Sequence, residues 1–283
     1  MESERESTEE MELCPEYAIN ELKFWISQQN FIPELSDKVL RRFLHSCYYN
    51  VKDTKDTLTS YFSIRVKTSQ VFLNRTAEHM KGITDLGYYV KMPEVTVEGY
   101  EVIVTGLFTD DTTHFNFTDF LKLYITAVET WTFTAQENSE GIILVADAAN
   151  FTFSHLRKME YNVIKAGFQY FQDALPIRLK KIIIINISTP VNVLLNMMQS
   201  VIAKRLVHLI ERHSSTSTKY YEMVPQKMFP MEYGGDGRSV KDLNGETVQL
   251  LIDNKEWLEK EDEMLRNLIA KQPRQKSFFS SLF

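Results

Sequence analysis

Asp147 closes the apolar run 141–147 (GIILVAD), a position where α/β enzymes often keep a carboxylate for a ligand or a metal ion. No second carboxylate or cysteine lies in the loop that follows, so neither paired acid–base chemistry nor a cation site is completed locally. The local alternative is that the Asp147 side chain accepts hydrogen bonds from the turn 148–151. The six histidines, His45, His79, His114, His155, His208 and His213, are scattered; His208 and His213 stand five apart, off the spacing that puts two ligands on one helix face. The glycine-rich stretch 234–237 follows no clear buried strand and opens no phosphate-cradling helix, which reads as turn chemistry. Neither a GxSxG elbow, an HExxH pair nor a paired CxxC is present. The expectation is a protein without catalysis, metal or resident cofactor.

The other chemistry is physical rather than covalent. Residues 175–213 (LPIRLKKIIIINISTPVNVLLNMMQSVIAKRLVHLIERH) combine oily runs with Arg178, Lys180, Lys181, Lys204, Arg205 and Arg212 against the single carboxylate Glu211. Apolar surface beside a basic cluster is what a protein needs to approach an anionic membrane and exchange something greasy with it. Each basic residue near such a surface contributes about 1 kcal/mol, so three or four give roughly 3–4 kcal/mol, a reversible grip. Residues 191–213 read as one helix of more than five turns begun by Pro190, with apolar positions covering more than one stripe. One face packs on its own fold; the surplus face needs protein core, ligand or bilayer. Adjacent Met197 and Met198 suit a surface that adapts to variable shapes.

The elements that position these residues follow from pattern. The 283-residue chain has a formal net charge of −6, and residues 1–16, with seven Glu against one Arg, account for all of it. The remainder is balanced, which argues against a nucleic-acid binder. Residues 1–17 read as a disordered acidic tail, 18–75 as a helical unit with Ser36 as an N-cap, 85–238 as an α/β domain, and 239–283 as a helical segment and tail. Strands are expected at 100–108, 141–147 and 181–187, with a possible edge strand at 218–224; helices at 117–133, capped by Asn116, and at 155–171 alternate with them. That alternation predicts α/β architecture with a mainly parallel sheet. No apolar run approaches a membrane span and no secretory signal is visible. Cys14 and Cys47 make no disulfide framework, and four Asn-x-Ser/Thr matches count as chance. A monomeric cytoplasmic protein, transiently membrane-associated, is expected.

The ordered motifs 38–44 (KVLRRFL), 61–65 (YFSIR), 141–147, 175–180 (LPIRLK), Asn186, the apolar helix and 230–235 (PMEYGG) resemble the CRAL-TRIO lipid-binding family, the group of tocopherol- and retinaldehyde-binding proteins. The likeness covers about residues 18–265. It implies an N-terminal helical subdomain followed by an α/β domain enclosing an apolar cavity, with residues 191–202 as a mobile gate. Tyr124, Val128, Ile142, Ala146, Phe151, Tyr170, Phe171, Leu179, Ile182, Leu194, Met197, Met198 and Val201 would contact a small hydrophobic lipid. Arg65, Arg178, Lys180 and Arg205 would take phosphoinositide head groups on membrane surfaces, while Leu209 stands where the family has a further basic residue. Val128 replaces a small polar residue and implies a drier cavity. Asn150 replaces a common glycine, as a turn with positive φ would tolerate. The implied function is intracellular binding and transfer of one hydrophobic ligand; the alternative is a lipid-regulated adaptor acting through the acidic tail or Phe278-Phe279.

Overall fold

A computed structural model describes residues 15–80, 82–136 and 138–271. The chain begins with helices α1 (Pro15–Ser27), α2 (Asp37–Ser46) and α3 (Val51–Lys67), then two single turns, α4 (Ser69–Phe72) and α5 (Ala77–Met80). Ser36 does cap α2, its hydroxyl accepting from the Val39 N–H at 3.4 Å. Ile19 and Leu22 of α1, Leu40, Phe43 and Leu44 of α2 and Leu58 and Phe62 of α3 recur at helical steps and are all buried in one core.

Next come strands β1 (Gly87–Val95) and β2 (Glu101–Leu107), helix α6 (Phe117–Thr134), strand β3 (Ile142–Asp147), helices α7 (Phe153–Arg157) and α8 (Tyr161–Asp173), and strand β4 (Leu179–Ile185). Helix α9 (Thr189–Met198), the turn α10 (Lys204–Val207), strand β5 (Ile210–Arg212), and helices α11 (Val240–Asp253) and α12 (Lys255–Lys271) complete the fold. The sheet runs β1-β2-β3-β4-β5, antiparallel between β1 and β2 and parallel elsewhere. The α/β architecture with N-terminal helices and a mainly parallel sheet is therefore as expected.

Sheet alternation creates two cores. Ile143 and Val145 of β3 face Tyr88, Val102, Val104, Phe229 and Leu243, while Ile142, Leu144 and Ala146 face the α6 and α8 side. In β4 the register shifts: Ile142 pairs with Leu179 but the next residue, Ile143, pairs with Lys181. The extra residue, Lys180, reverses the parity, so Leu179 and Ile182 both reach the α6 side although a regular strand would separate them.

Several sequence expectations are corrected. The sheet holds β1 ahead of the first expected strand; Pro93 lies within it, at the register shift between Lys91 and Val95 of an edge strand, where a missing N–H is tolerated. Residues 155–171 make two helices, not one. Residues 218–224 hold a 3₁₀ turn, Lys219–Glu222, rather than an edge strand, because β5 already occupies the edge of β4. Asn150 is not among the positive-φ residues; its amide instead donates to the Leu107 carbonyl at 2.7 Å. The largest correction concerns 191–213. A continuous helix would extend about 34 Å and leave the edge of β4 bare. The chain breaks after Met198 instead, and Leu209 accepts from the Ile182 N–H at 2.8 Å as Ile210–Arg212 pair with β4.

Candidate functional site

Between the sheet and its helices lies a pocket of about 330 Å³, within the size range of small-molecule sites. Phe117, Leu121, Tyr124 and Val128 stand at steps of four, three and four along α6 and so share the face that meets it. Leu144 and Ala146 supply the floor, Ile164, Gly167, Phe168 and Phe171 of α8 a second wall, and Val191, Leu194 and Leu195 of α9 a third. Gly167 matters sterically, since a Cβ there would press on both Leu121 methyl carbons. The Tyr124 ring lies 4.4 Å from Tyr89 and 4.6 Å from Phe171, centroid to centroid. Burial raises the Tyr124 hydroxyl above its ordinary pKa, so it stays a neutral phenol.

Of the expected lipid contacts, Tyr124, Val128, Ile142, Ala146, Phe151, Phe171, Leu179, Ile182 and Leu194 lie on the pocket wall. Tyr170, Met197, Met198 and Val201 do not. Tyr170 turns the opposite way and donates its hydroxyl to Glu129. Met197 is 43% exposed and Met198 fully buried off the wall, because α9 ends there. Val201 sits in the break, where its carbonyl accepts from the Gln172 amide at 3.2 Å. Ile103, Leu144, Ile164, Phe168, Ile184 and Ile210 were missed, although each stands two residues along a strand, or three or four along a helix, from a wall residue or pairs with one.

The basic residues separate into different roles. Arg65 is 0% exposed, with guanidinium contacts to Glu129 at 3.3 Å and Glu261 at 2.8 Å, so no head group reaches it here. Arg178 and Lys180 do meet, over the Tyr48 ring: the Arg178 guanidinium is 4.2 Å from its centroid, and Lys180 Nζ donates to the Tyr48 hydroxyl at 3.1 Å. Arg178 Nε also donates to the His45 carbonyl at 2.8 Å, which ties β4 to the end of α2. Gly141 leaves room for the Lys180 stem to lie across β3. Arg205 pairs elsewhere, with Asp173 at 3.0 Å.

Asp147 behaves as the local reading foresaw. Its Oδ1 accepts from the Ala149 N–H at 2.9 Å and the Asn186 amide at 2.8 Å, and its Oδ2 from the Tyr233 hydroxyl at 3.0 Å. Tyr233 and Tyr88 hydroxyls lie 2.5 Å apart. Burial, then Tyr88 and Asp147, push the Tyr233 phenol up, which keeps it a donor. Asp147 also pins Asn186, whose φ is +53. Asp147→Ala should therefore destabilise the fold by about 1–2 kcal/mol, since the half-buried Asn186 and Tyr233 donors lose their acceptor; an unchanged urea midpoint would show that these bonds are replaced by solvent.

Comparison with known proteins decides the family. A family model described as CRAL/TRIO domain matches residues 87–235, more than half of the chain. The chain belongs to the CRAL/TRIO family. A second model, described as Pinta-like, UBA domain, matches residues 12–81. Human "Alpha-tocopherol transfer protein-like" is 20% identical over 232 residues, 80% of this chain and 68% of that protein. Mouse clavesin-2 is 20% identical over 70% of this chain and 62% of its own length, and rat clavesin-1 is 21% identical over 70% and 57%. The crystal structure of Sfh5 superposes with a TM-score of 0.54 at 14% identity, covering 92% of this chain and 98% of that one, a likeness of fold. The CRAL/TRIO family is known for lipid binding and transfer. Among the described residues no helix is long and apolar enough to cross a membrane, and no group of three His, Cys, Asp or Glu could hold a metal ion.

Proposed function

We propose that the chain carries one neutral hydrophobic molecule in the pocket and exchanges it at membranes that display phosphoinositides. The observation that supports this best is the wall itself: Ile, Leu, Val, Phe, Ala and Met side chains surround about 330 Å³, and the one carboxylate at its edge, Asp147, is already engaged by Ala149, Asn186 and Tyr233. A charged cargo would find no counter-charge there and would bear a desolvation cost of several kcal/mol. A cargo with a single hydroxyl or carbonyl finds the Tyr124 phenol, a bond worth about 1 kcal/mol net.

The exit is the segment α9–α10. Its inner face carries Val191, Leu194 and Leu195, while Val193, Met197 and Val207 are exposed on the outside. Lys204 and Arg205 stand exposed on the same segment, so apolar surface and cationic charge face solvent together. In this reading the segment meets an acidic bilayer, swings outward and lets the ligand partition; no covalent step occurs. Arg178 and Lys180 add cationic charge beside Tyr48, and Arg65 takes no part.

Lys204→Gln with Arg205→Gln is the test. Loss of two cations near an anionic surface should slow delivery of a bound fluorescent lipid to phosphoinositide-containing vesicles roughly 10- to 30-fold at low salt, with binding of the lipid retained. Delivery at the wild-type rate would remove these residues from docking.

A further inference from the structure

His155 of α7 is 0% exposed, stands behind the pocket wall and takes no part in the carrier reading. Its Nδ1 accepts from the Thr152 N–H at 3.2 Å and lies 2.9 Å from the Thr152 hydroxyl, so the ring does for α7 what a Glu or Gln does in other capping boxes. A main-chain N–H only donates; Nδ1 is therefore unprotonated and the neutral ring carries its proton on Nε2. Nε2 is buried without a hydrogen bond. The ring is flanked by carbon: Phe115 stands at 80° to it with centroids 4.7 Å apart, and Phe151 stacks at 25° and 5.6 Å. Phe151 in turn lines the pocket and packs on the cluster that holds Val191 and Leu195 of α9. Its carbonyl accepts from the hydroxyl of Ser188, the N-cap residue of α9, at 3.4 Å.

We propose that His155 is a proton-operated stay: neutral, it holds Phe151 in the pocket wall, and protonation loosens that wall and weakens the hold on cargo. This rests on the pocket being the cargo site. A proton on Nδ1 would face the Thr152 N–H, donor against donor. The Thr152 hydroxyl can turn to accept from it; the main-chain N–H cannot. The capping bond is then lost, and a cation is left among aromatic rings in the first turn of a helix, whose N–H groups disfavour it. The surrounding charges do not compensate. Asp110, exposed on the loop after β2, favours the proton, and Lys158, just past α7, opposes it. Asp111 is engaged by Thr113, Arg157 by Ser154, His114 is exposed, and α9 carries no charged residue. Burial, the largest influence, holds the imidazole below its ordinary pKa. The closed wall is thus favoured above about pH 6.5 and loses that advantage as pH falls, because an opened ring takes up a proton that the closed ring refuses. One unit lower, the opened form gains up to about ten-fold.

Hydrogen–deuterium exchange of residues 151–158 in the full chain, corrected for the intrinsic pH dependence of exchange, reads the stay without any cargo. Between about pH 7.5 and about pH 5.5, exchange should rise up to about ten-fold in the wild type. His155→Gln keeps an acceptor for the Thr152 N–H at the same position of the capping box but cannot titrate, so its exchange should stay flat over that range. Nile red supplies the second reading. Its affinity for the wild type should fall up to about ten-fold over the same interval and hold in His155→Gln. Should that variant not fold, the imidazole nitrogen resonances of the wild type decide: a neutral ring with its proton on Nε2, persisting below about pH 6.5 wherever the wall is closed, is expected. A ring that charges at its ordinary pH with exchange unchanged would overturn the stay. So would an acid response that persists in His155→Gln, or a dye affinity indifferent to the rise in exchange. If neither protein takes up dye at any pH, the carrier reading fails while the exchange data still judge whether His155 holds the wall.

Discussion

Glu129→Gln should destabilise the protein by about 3–5 kcal/mol, the usual consequence of removing one partner from a buried ion pair, and so lower its thermal midpoint by roughly 10 °C. Glu129 lies on α6 with no exposure, and on it converge Arg65 of α3, Arg75 from the loop before α5 and the Tyr170 hydroxyl of α8. Without the carboxylate, Arg65 keeps Glu261 at 2.8 Å, but the nearest carboxylate oxygen to Arg75 is Asp262 Oδ1 at 3.7 Å, beyond hydrogen-bond reach. Two parts of the chain lose their common fastening: the N-terminal helices and the α/β layer.

The pH dependence gives the sign. Burial pushes the Glu129 carboxyl up, but Arg65 and Arg75 outweigh it and hold the pKa below the ordinary carboxylate value. A carboxyl with a depressed folded pKa contributes stability that is fully present above its unfolded pKa, about 4.3, and is lost as pH falls through the folded pKa. Glutamine has no such dependence. The stability gap between wild type and Glu129→Gln, read from urea unfolding, should thus be widest near neutrality and narrow in acid. A gap that stays constant down to acid would mean that the carboxyl is not ionised in the fold.

Ala146→Trp and Val128→Phe should abolish ligand uptake, weakening it on the order of 100-fold, about 2.7 kcal/mol. The two side chains enter the pocket from opposite walls, the sheet and α6. If the space is vacant in the free protein, each added ring fills it and unfolding midpoints stay near wild type or rise. If that space is already packed, the same rings cost about 1–3 kcal/mol through displaced neighbours. Loss of binding with stability retained is the expected pairing. Binding at wild-type strength in both variants would place the ligand elsewhere.

How much of this was visible in the residues varies with how local the signal is. The apolar run 142–146 announced a buried parallel strand, which holds in the structure, while Tyr124 and Val128, named through the resemblance, stand one four-residue step apart on the helix face that meets the pocket. Tyr170 and Phe171 are neighbours on a helix that is apolar on either side of them, so periodicity alone could not say which faced the pocket. The charge of Glu129, alone in the otherwise uncharged stretch 123–134 of its helix, was the unused clue, since a carboxylate in that company must be paired. It would have claimed Tyr170 and Arg65 for the interior. The break after Met198 had no local signal at all. Neither Pro nor Gly marks it; the open edge of β4 and the Gln172 side chain, distant in sequence, decide it. Lys180 shows the same limit, for its bulge sets which residues of β4 face the pocket but is defined only by pairing with β3.

Native mass spectrometry of the purified full chain, with solvent extraction of whatever accompanies it, bears most directly on the pocket. A one-to-one adduct with a neutral, largely hydrocarbon molecule, absent from Ala146→Trp, is the expected result. A bare chain that also refuses every apolar ligand offered, or an adduct that persists in Ala146→Trp, would contradict it.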